Sequence, residues 1–338
     1  MTLRNKTFII VLLSIISITI LGSMYLLSNK QKPLKLTQKR EFITNIELVK
    51  SVKTENKLSL IKYFKHKLYF VSWTKNNQGK LFNIDIDSLD VINEFSFNNT
   101  SDSLLIGNYF LTKDTVYLFN KMKNSIILTN LNSEKLGEYT YPKRFSRIEK
   151  SNNNFLISGW DENFNIYFDK FNLNTKNITP IDFNDEYLSY YDMNGIALDG
   201  FYHSNEDYII MLPYSVNRIF LFNKNLNFIK SMDLIYEKNE FKFRKSDNGD
   251  IYIDPNNLDP NLWCSLHGNL LFVMSDFSTK WDNKDKCYID IYKINSGQYF
   301  KSIKINDFKG SKPKYLLVKD NKLFILFKDY LNQYEFAL

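Results

Sequence analysis

A chain of 338 residues, 44% hydrophobic and 16% aromatic, has ample material for a sizeable core, in one large domain or two small ones, and its two cysteines are too few for a disulfide framework. Phe and Tyr are abundant (28 and 22 copies) while Ala occurs only at Ala197 and Ala337, so the composition leans towards strands. The formal charge of +7 sits at one end: residues 1–40 carry seven of the 44 basic residues and no acidic one, leaving an electroneutral body without the basic face of a nucleic-acid-binding protein.

In chain order, the first feature is a basic flank, 1–7, holding Arg4 and Lys6, followed by an uncharged apolar run at 8–27, "FIIVLLSIISITILGSMYLL". Its 20 residues match the thickness of a hydrocarbon core. The run predicts a membrane-spanning signal-anchor or a signal peptide, and the lack of a small-x-small cleavage site favours retention. A basic linker, 28–41, follows. Its five positive charges, Lys30 to Arg40, oppose export, whereas the order basic, apolar, domain is that of exported chains, and large domains cross despite flanking charge. The expectation is a single-pass protein of the cell membrane with its body on the extracytoplasmic side, secreted or periplasmic if the segment is cleaved.

From residue 42 onward a unit of forty-odd residues recurs. Six phrases share one strand pattern, among them "HKLYFVSW", "NFLISGW", "DYIIMLPY" and "NKLFILFK", each followed by a hairpin such as "KLFNIDIDSLD" or "RIFLFNKNLN" with a turn rich in Asn, Asp, Ser and Gly. Cuts before each innermost strand give units 57–99, 100–143, 144–185, 186–238, 239–307 and 308–338. The last unit lacks an outer strand, and "FITNIELVKSV" (42–52) stands before the first unit without one of its own. The spacing predicts an all-β, six-bladed β-propeller of four-stranded blades over 42–338, closed by that N-terminal strand.

Two stretches carry a resemblance. "DNGDIYID" (247–254) looks like the turn and strand, and "NRIFLFNKNLNFIKS" (217–231) is similar to the outer hairpin, of the NHL/YncE-like group of six-bladed propellers. The resemblance implies the six-bladed fold, and a ligand face formed by the loops between second and third strands. The group includes protein-binding, sugar-binding and enzymatic members, so it implies no single function.

On that face the sequence places Trp73, Trp160 and Trp281, with Tyr214 as the counterpart in the fourth unit. The expectation is an aromatic platform at the mouth of a central channel; the competing reading is that each ring packs on a neighbouring blade. Asp114, Asp161 and Asp276 are placed near the same loops as orienting carboxylates, with solvated loop acids as the alternative. Cys264 and Cys287 allow either one disulfide or two buried thiols. His66, His203 and His267 precede second strands in separate units and read as turn residues. Sequons at Asn98, Asn99 and Asn177 arise readily by chance in so Asn-rich a chain. The long fifth unit carries its surplus in "DPNNLDPNLWC" and "DFSTKWDNKDKC". No Ser–His–Asp set, phosphate-binding Gly loop or metal-binding spacing occurs, and no cofactor is expected. The function expected is non-catalytic binding of an envelope protein, peptide or glycan. The alternative is a propeller hydrolase or lyase, with or without a metal, using carboxylates that converge on the channel.

Overall fold

The computed structural model describes residues 3–28, 34–54, 58–73, 79–97, 106–120, 122–132, 134–191, 193–238, 240–248, 250–254, 257–276 and 286–338. Helix α1 spans Leu3–Ser28. Its side chains are described over 12–24, where every one is exposed. Among the described residues, no helix is long and apolar enough to cross a membrane.

After β1 (Ile46–Lys53), blade one is β2 (Leu58–Phe64), β3 (Lys67–Trp73), β4 (Gly79–Asp85) and β5 (Val91–Phe97). Blade two is β6 (Ile106–Leu111), β7 (Thr115–Asn120), β8 (Ser125–Asn130) and β9 (Lys135–Thr140). Blade three is β10 (Arg147–Ser151), β11 (Asn154–Trp160), β12 (Ile166–Asn172) and β13 (Ile178–Pro180). Two short helices, α2 (Glu186–Tyr190) and α3 (Asn194–Ala197), lead to blade four: β14 (Gly200–Ser204), β15 (Tyr208–Pro213), β16 (Arg218–Asn223) and β17 (Phe228–Asp233). A separate hairpin, β18 (Phe243–Lys245) with β19 (Ile251–Ile253), precedes blade five: β20 (Asn261–His267), β21 (Leu270–Ser275), β22 (Lys286–Lys293) and β23 (Gln298–Asn306). Blade six combines β24 (Tyr315–Lys319), β25 (Lys322–Leu326) and β26 (Tyr330–Phe336) with β1 as its outermost strand.

The six blades and their closure follow the sequence expectation. β1 pairs antiparallel with β26 from Ile46 opposite Phe336 to Lys53 opposite Tyr330, and the last blade thereby reaches four strands. The chemistry of the ring is written in its strands. Both faces of a blade are covered by neighbours, so strands are apolar at successive positions rather than at alternate ones. In β25, Leu323 and Ile325 pack towards blade five, while Phe324 and Leu326 pack towards blade one. Phe110, Phe119, Phe155 and Phe171 form the seam between blades two and three, with ring centroids 5.2 Å apart for Phe110–Phe119 and 5.8 Å for Phe119–Phe155. The abundance of Phe is thus spent between blades.

Two local expectations are corrected. "DNGDIYID" does not form a blade strand; it builds the β18–β19 hairpin, where Arg244 faces Tyr252 outside the ring. "NRIFLFNKNLNFIKS" does form an outer hairpin, β16–β17. The basic linker, in turn, is not a free spacer over its second half. Thr37 N donates to Ile235 O and Glu237 N to Lys35 O, at 2.8 and 2.9 Å. Farther on, Ser302 N donates to Glu41 O and Ile43 N to Ser302 O, so the chain lies along β23. Between these contacts the Arg40 guanidinium grips Asp290 in a two-pronged pair of 2.8 and 2.9 Å and covers the Tyr288 ring at 4.1 Å. We refer to 34–43 as the strap.

Cys264 and Cys287 are free, buried thiols. They belong to β20 and β22, with β21 between, and strands two apart lie ~10 Å from each other, beyond the reach of a disulfide. Burial pushes both thiols above their ordinary pKa, which keeps them protonated and unreactive.

Candidate functional site

Antiparallel order within each blade sorts the connections onto two faces. The start of each inner strand and the loop between second and third strands share one, the loop face. The turn between first and second strands lies on the other, the turn face. Inner strands β2, β6, β10, β14, β20 and β24 line the channel between them.

The structure places the expected residues as follows. Trp281 lies outside the described residues, as do Asn98 and Asn99; Trp73 ends β3, and its side chain lies outside them too. Trp160 ends β11 on the loop face but rests on α3, where Gly195 comes so close that an added Cβ would overlap the Trp160 Cβ. Asp161 holds its own loop by accepting from Asn163 N and Asn165 N at 2.9 and 2.8 Å. Asp276 accepts from Lys312 Nζ at 2.6 Å, tying blade five to the chain that leads into blade six. Asp114 is corrected: it sits in the turn between β6 and β7, hence on the turn face, because β7 begins at Thr115 and the loop-face end of that strand is Asn120.

Among the described side chains of this set, Tyr214 faces the channel. Arg147, first in β10, donates to Tyr214 Oη at 3.2 Å, to Asp199 Oδ2 at 2.7 Å and, through Nε, to the Gly200 carbonyl. Gly200 has no room for a side chain, since a Cβ would fall on the Leu212 carbonyl of β15. Around this cluster Trp263 stacks on Phe201 (4.8 Å, 20°) and meets Tyr315 edge-on at 4.7 Å. An aromatic surface is therefore present at the loop-face end, but Phe201, Tyr214, Trp263 and Tyr315 build it. The space there is small, about 70 Å³.

The larger cavity, about 550 Å³, opens on the turn face. Glu149 of β10 is 2% exposed; Ser204 Oγ donates to its Oε1 at 2.8 Å, and its Oε2 has no hydrogen-bond partner. Lys62 Nζ of β2 stands 3.9 Å from Oε2 and 3.8 Å from the Phe110 ring centroid. Burial lowers the Lys62 pKa, Glu149 opposes that fall, and Lys224 adds to it. His203 of β14 lines the same space with Nδ1 unpartnered; burial, then the charges of Lys62 and Lys224, push its pKa down to about 3, so the imidazole is neutral at ordinary pH. His267 lines it as well, so two of the three histidines read as separate turn residues share one cavity. His66 is elsewhere, 2.9 Å from Asp87 on the surface. Among the described residues, no three His, Cys, Asp or Glu side chains are grouped as a metal ion would require.

Sequence reasoning missed Lys62, Arg147, Glu149 and Trp263. The signal was available: charges inside "LIKYF" and "RIEKS", and "NLWCSLH" ahead of a second strand, mark innermost strands whose alternate residues meet the channel.

No family model matches the chain, and no curated protein matches it. Solved structures do. A DUF4221 family member from Bacteroides vulgatus superposes with a TM-score of 0.57 at 11% identity, over 89% of this chain and 99% of that one. Catalytically inactive virginiamycin B lyase from Staphylococcus aureus, solved with quinupristin, gives 0.51 at 12%, over 87% and 100%. The likeness is to other six-bladed propellers. At such identities it is a likeness of fold.

Proposed function

We propose that the chain is a membrane-tethered, extracytoplasmic propeller that works by binding, taking a protein, peptide or glycan into the channel from the turn face. The observation that carries this is the unused hydrogen-bonding capacity of the larger cavity: Glu149 Oε2 and His203 Nδ1 are sheltered without partners in a space of about 550 Å³. Leaving such groups bare costs about 1–3 kcal/mol each, a cost a ligand removes. A hydrolase or lyase acting in the same cavity is the second reading.

Tethering is supported by α1, which exposes Leu12, Leu13, Ile15, Ile16, Ile18, Ile20, Leu21 and Met24. Exposed apolar surface on all sides of a helix suits a lipid surround. The strap keeps that helix close, since only residues 29–33 separate Ser28 from Leu34, a reach of at most ~20 Å.

In-cell crosslinking followed by purification in mild detergent tests the binding site. A stoichiometric companion of the wild type should be lost from Lys62→Met, while the triple variant Trp73→Ala, Trp160→Ala, Trp281→Ala retains it. Undiminished capture by folded Lys62→Met would remove the cavity from the proposal. Sidedness has its own measurement: protease added to intact spheroplasts should cut the propeller, and a body shielded until lysis would place it in the cytoplasm.

A further inference from the structure

We propose that the turn-face cavity takes a neutral, polyhydroxylated ligand, a short saccharide, an inference that rests on the binding role just given to this cavity. The walls carry three lysines, Lys62, Lys65 and Lys319, and three carboxylates, Glu149, Glu206 and Asp207. They balance. His203 adds no charge, because its imidazole stays neutral down to about pH 3. A ligand with net charge would leave one buried partner of the Lys62–Glu149 pair uncompensated, and breaking a buried pair is costly.

The innermost groups ask for a particular pattern. Glu149 Oε2 needs a donor, and Lys62 Nζ, 3.9 Å away, carries N–H groups that a ligand oxygen can accept from. Adjacent hydroxyls on one ring place a donor and an acceptor side by side on a single edge, whereas the N–H and C=O of a peptide group point in opposite directions. His203 Nδ1 is served by a hydroxyl in either tautomer, since a hydroxyl both donates and accepts. The carboxylate is already aimed: Ser204 Oγ fixes Oε1 at 2.8 Å and leaves Oε2 for the ligand. Tyr63, Phe64 and Leu317 supply apolar wall for the C–H face of a sugar ring. The volume falls within the ~300–1,000 Å³ usual for enclosed small ligands.

The test is saturation-transfer NMR on the full chain in lipid nanodiscs, which avoid sugar-headed detergents, using a panel of maltose, cellobiose, lactose and diacetylchitobiose beside a mixture of neutral hexapeptides. At least one disaccharide should receive saturation, and Glu149→Gln, which turns the acceptor edge partly into a donor, should weaken it about tenfold, the loss of one good hydrogen bond. If Glu149→Gln does not fold, Lys62→Met takes its place with the same expectation. Saturation of peptides alone, sensitive to Glu149→Gln, would overturn the saccharide and leave the binding role standing. No saturation in the panel, or saturation indifferent to both variants, would overturn the saccharide and the cavity together.

Discussion

Arg40→Ala is expected to destabilise the protein by about 3–5 kcal/mol, the usual effect of removing one partner from a buried ion pair. Asp290 is 1% exposed, and its carboxylate takes both prongs of the guanidinium besides Ser302 Oγ at 2.5 Å and Ser275 Oγ at 3.0 Å. Without Arg40 the two hydroxyls remain, and they do not neutralise a buried charge. Arg40→Lys should recover only part of the loss, because an ammonium cannot match the two-pronged geometry or lie flat over Tyr288. Arg40→Met combined with Asp290→Asn should recover most of it, since no charge is then left unpaired. Urea midpoints of the four proteins measure this. A stability of Arg40→Ala within ~0.5 kcal/mol of wild type, the range of an ordinary surface change, would show that the strap is not held as described.

Acid sensitivity should trace to His203. Its folded pKa, about 3, lies below the ordinary value of 6.5. Above pH 6.5 the imidazole is neutral in both folded and unfolded chains and contributes no pH dependence. As the pH falls below 6.5 the unfolded chain takes up a proton that the folded chain refuses, so stability declines through the window from 6.5 to about 3. The slope approaches ~1.4 kcal/mol per pH unit, or about 2–3 kcal/mol lost by pH 4.5. Burial lowers His267 too, which acts in the same direction. His203→Asn should remove that slope, so in urea titrations the variant gains about 2–3 kcal/mol on the wild type between pH 7 and pH 4.5. Parallel pH profiles would refute a sheltered, neutral His203.

What was legible in the sequence was the part that repeats. Each blade announces itself through a local phrase, an apolar strand, an Asn- or Gly-bearing turn and a second strand, and six such phrases with one missing outer strand required a donor at the other end. The donor came within a few residues of its observed position, 42–52 expected against Ile46–Lys53. The channel was harder because its residues share no phrase. Lys62, Glu149 and His203 come from three blades and meet only through the register of their inner strands. Trp263 was hidden inside what read as an insertion, although it lies on an inner strand, β20. Asp114 was misplaced because one strand boundary decides which face a turn belongs to. The strap left no periodic trace, as its hold comes from Arg40 meeting an aspartate 250 residues away.

The closure of the ring has a bearing on how the chain is made. β1 leaves the ribosome before any blade and must wait, while its partner β26 emerges only after five blades and two strands of the sixth. Until then the growing assembly is an open arc, with an unpaired strand edge at its newest end, and such edges recruit other chains. Joining partners so distant in sequence is also slow. Crowded nascent copies should therefore be most prone to trade first strands with one another before the ring closes, and a variant with β1 moved behind β26 would keep both halves of the seam in the same stretch of newly made chain.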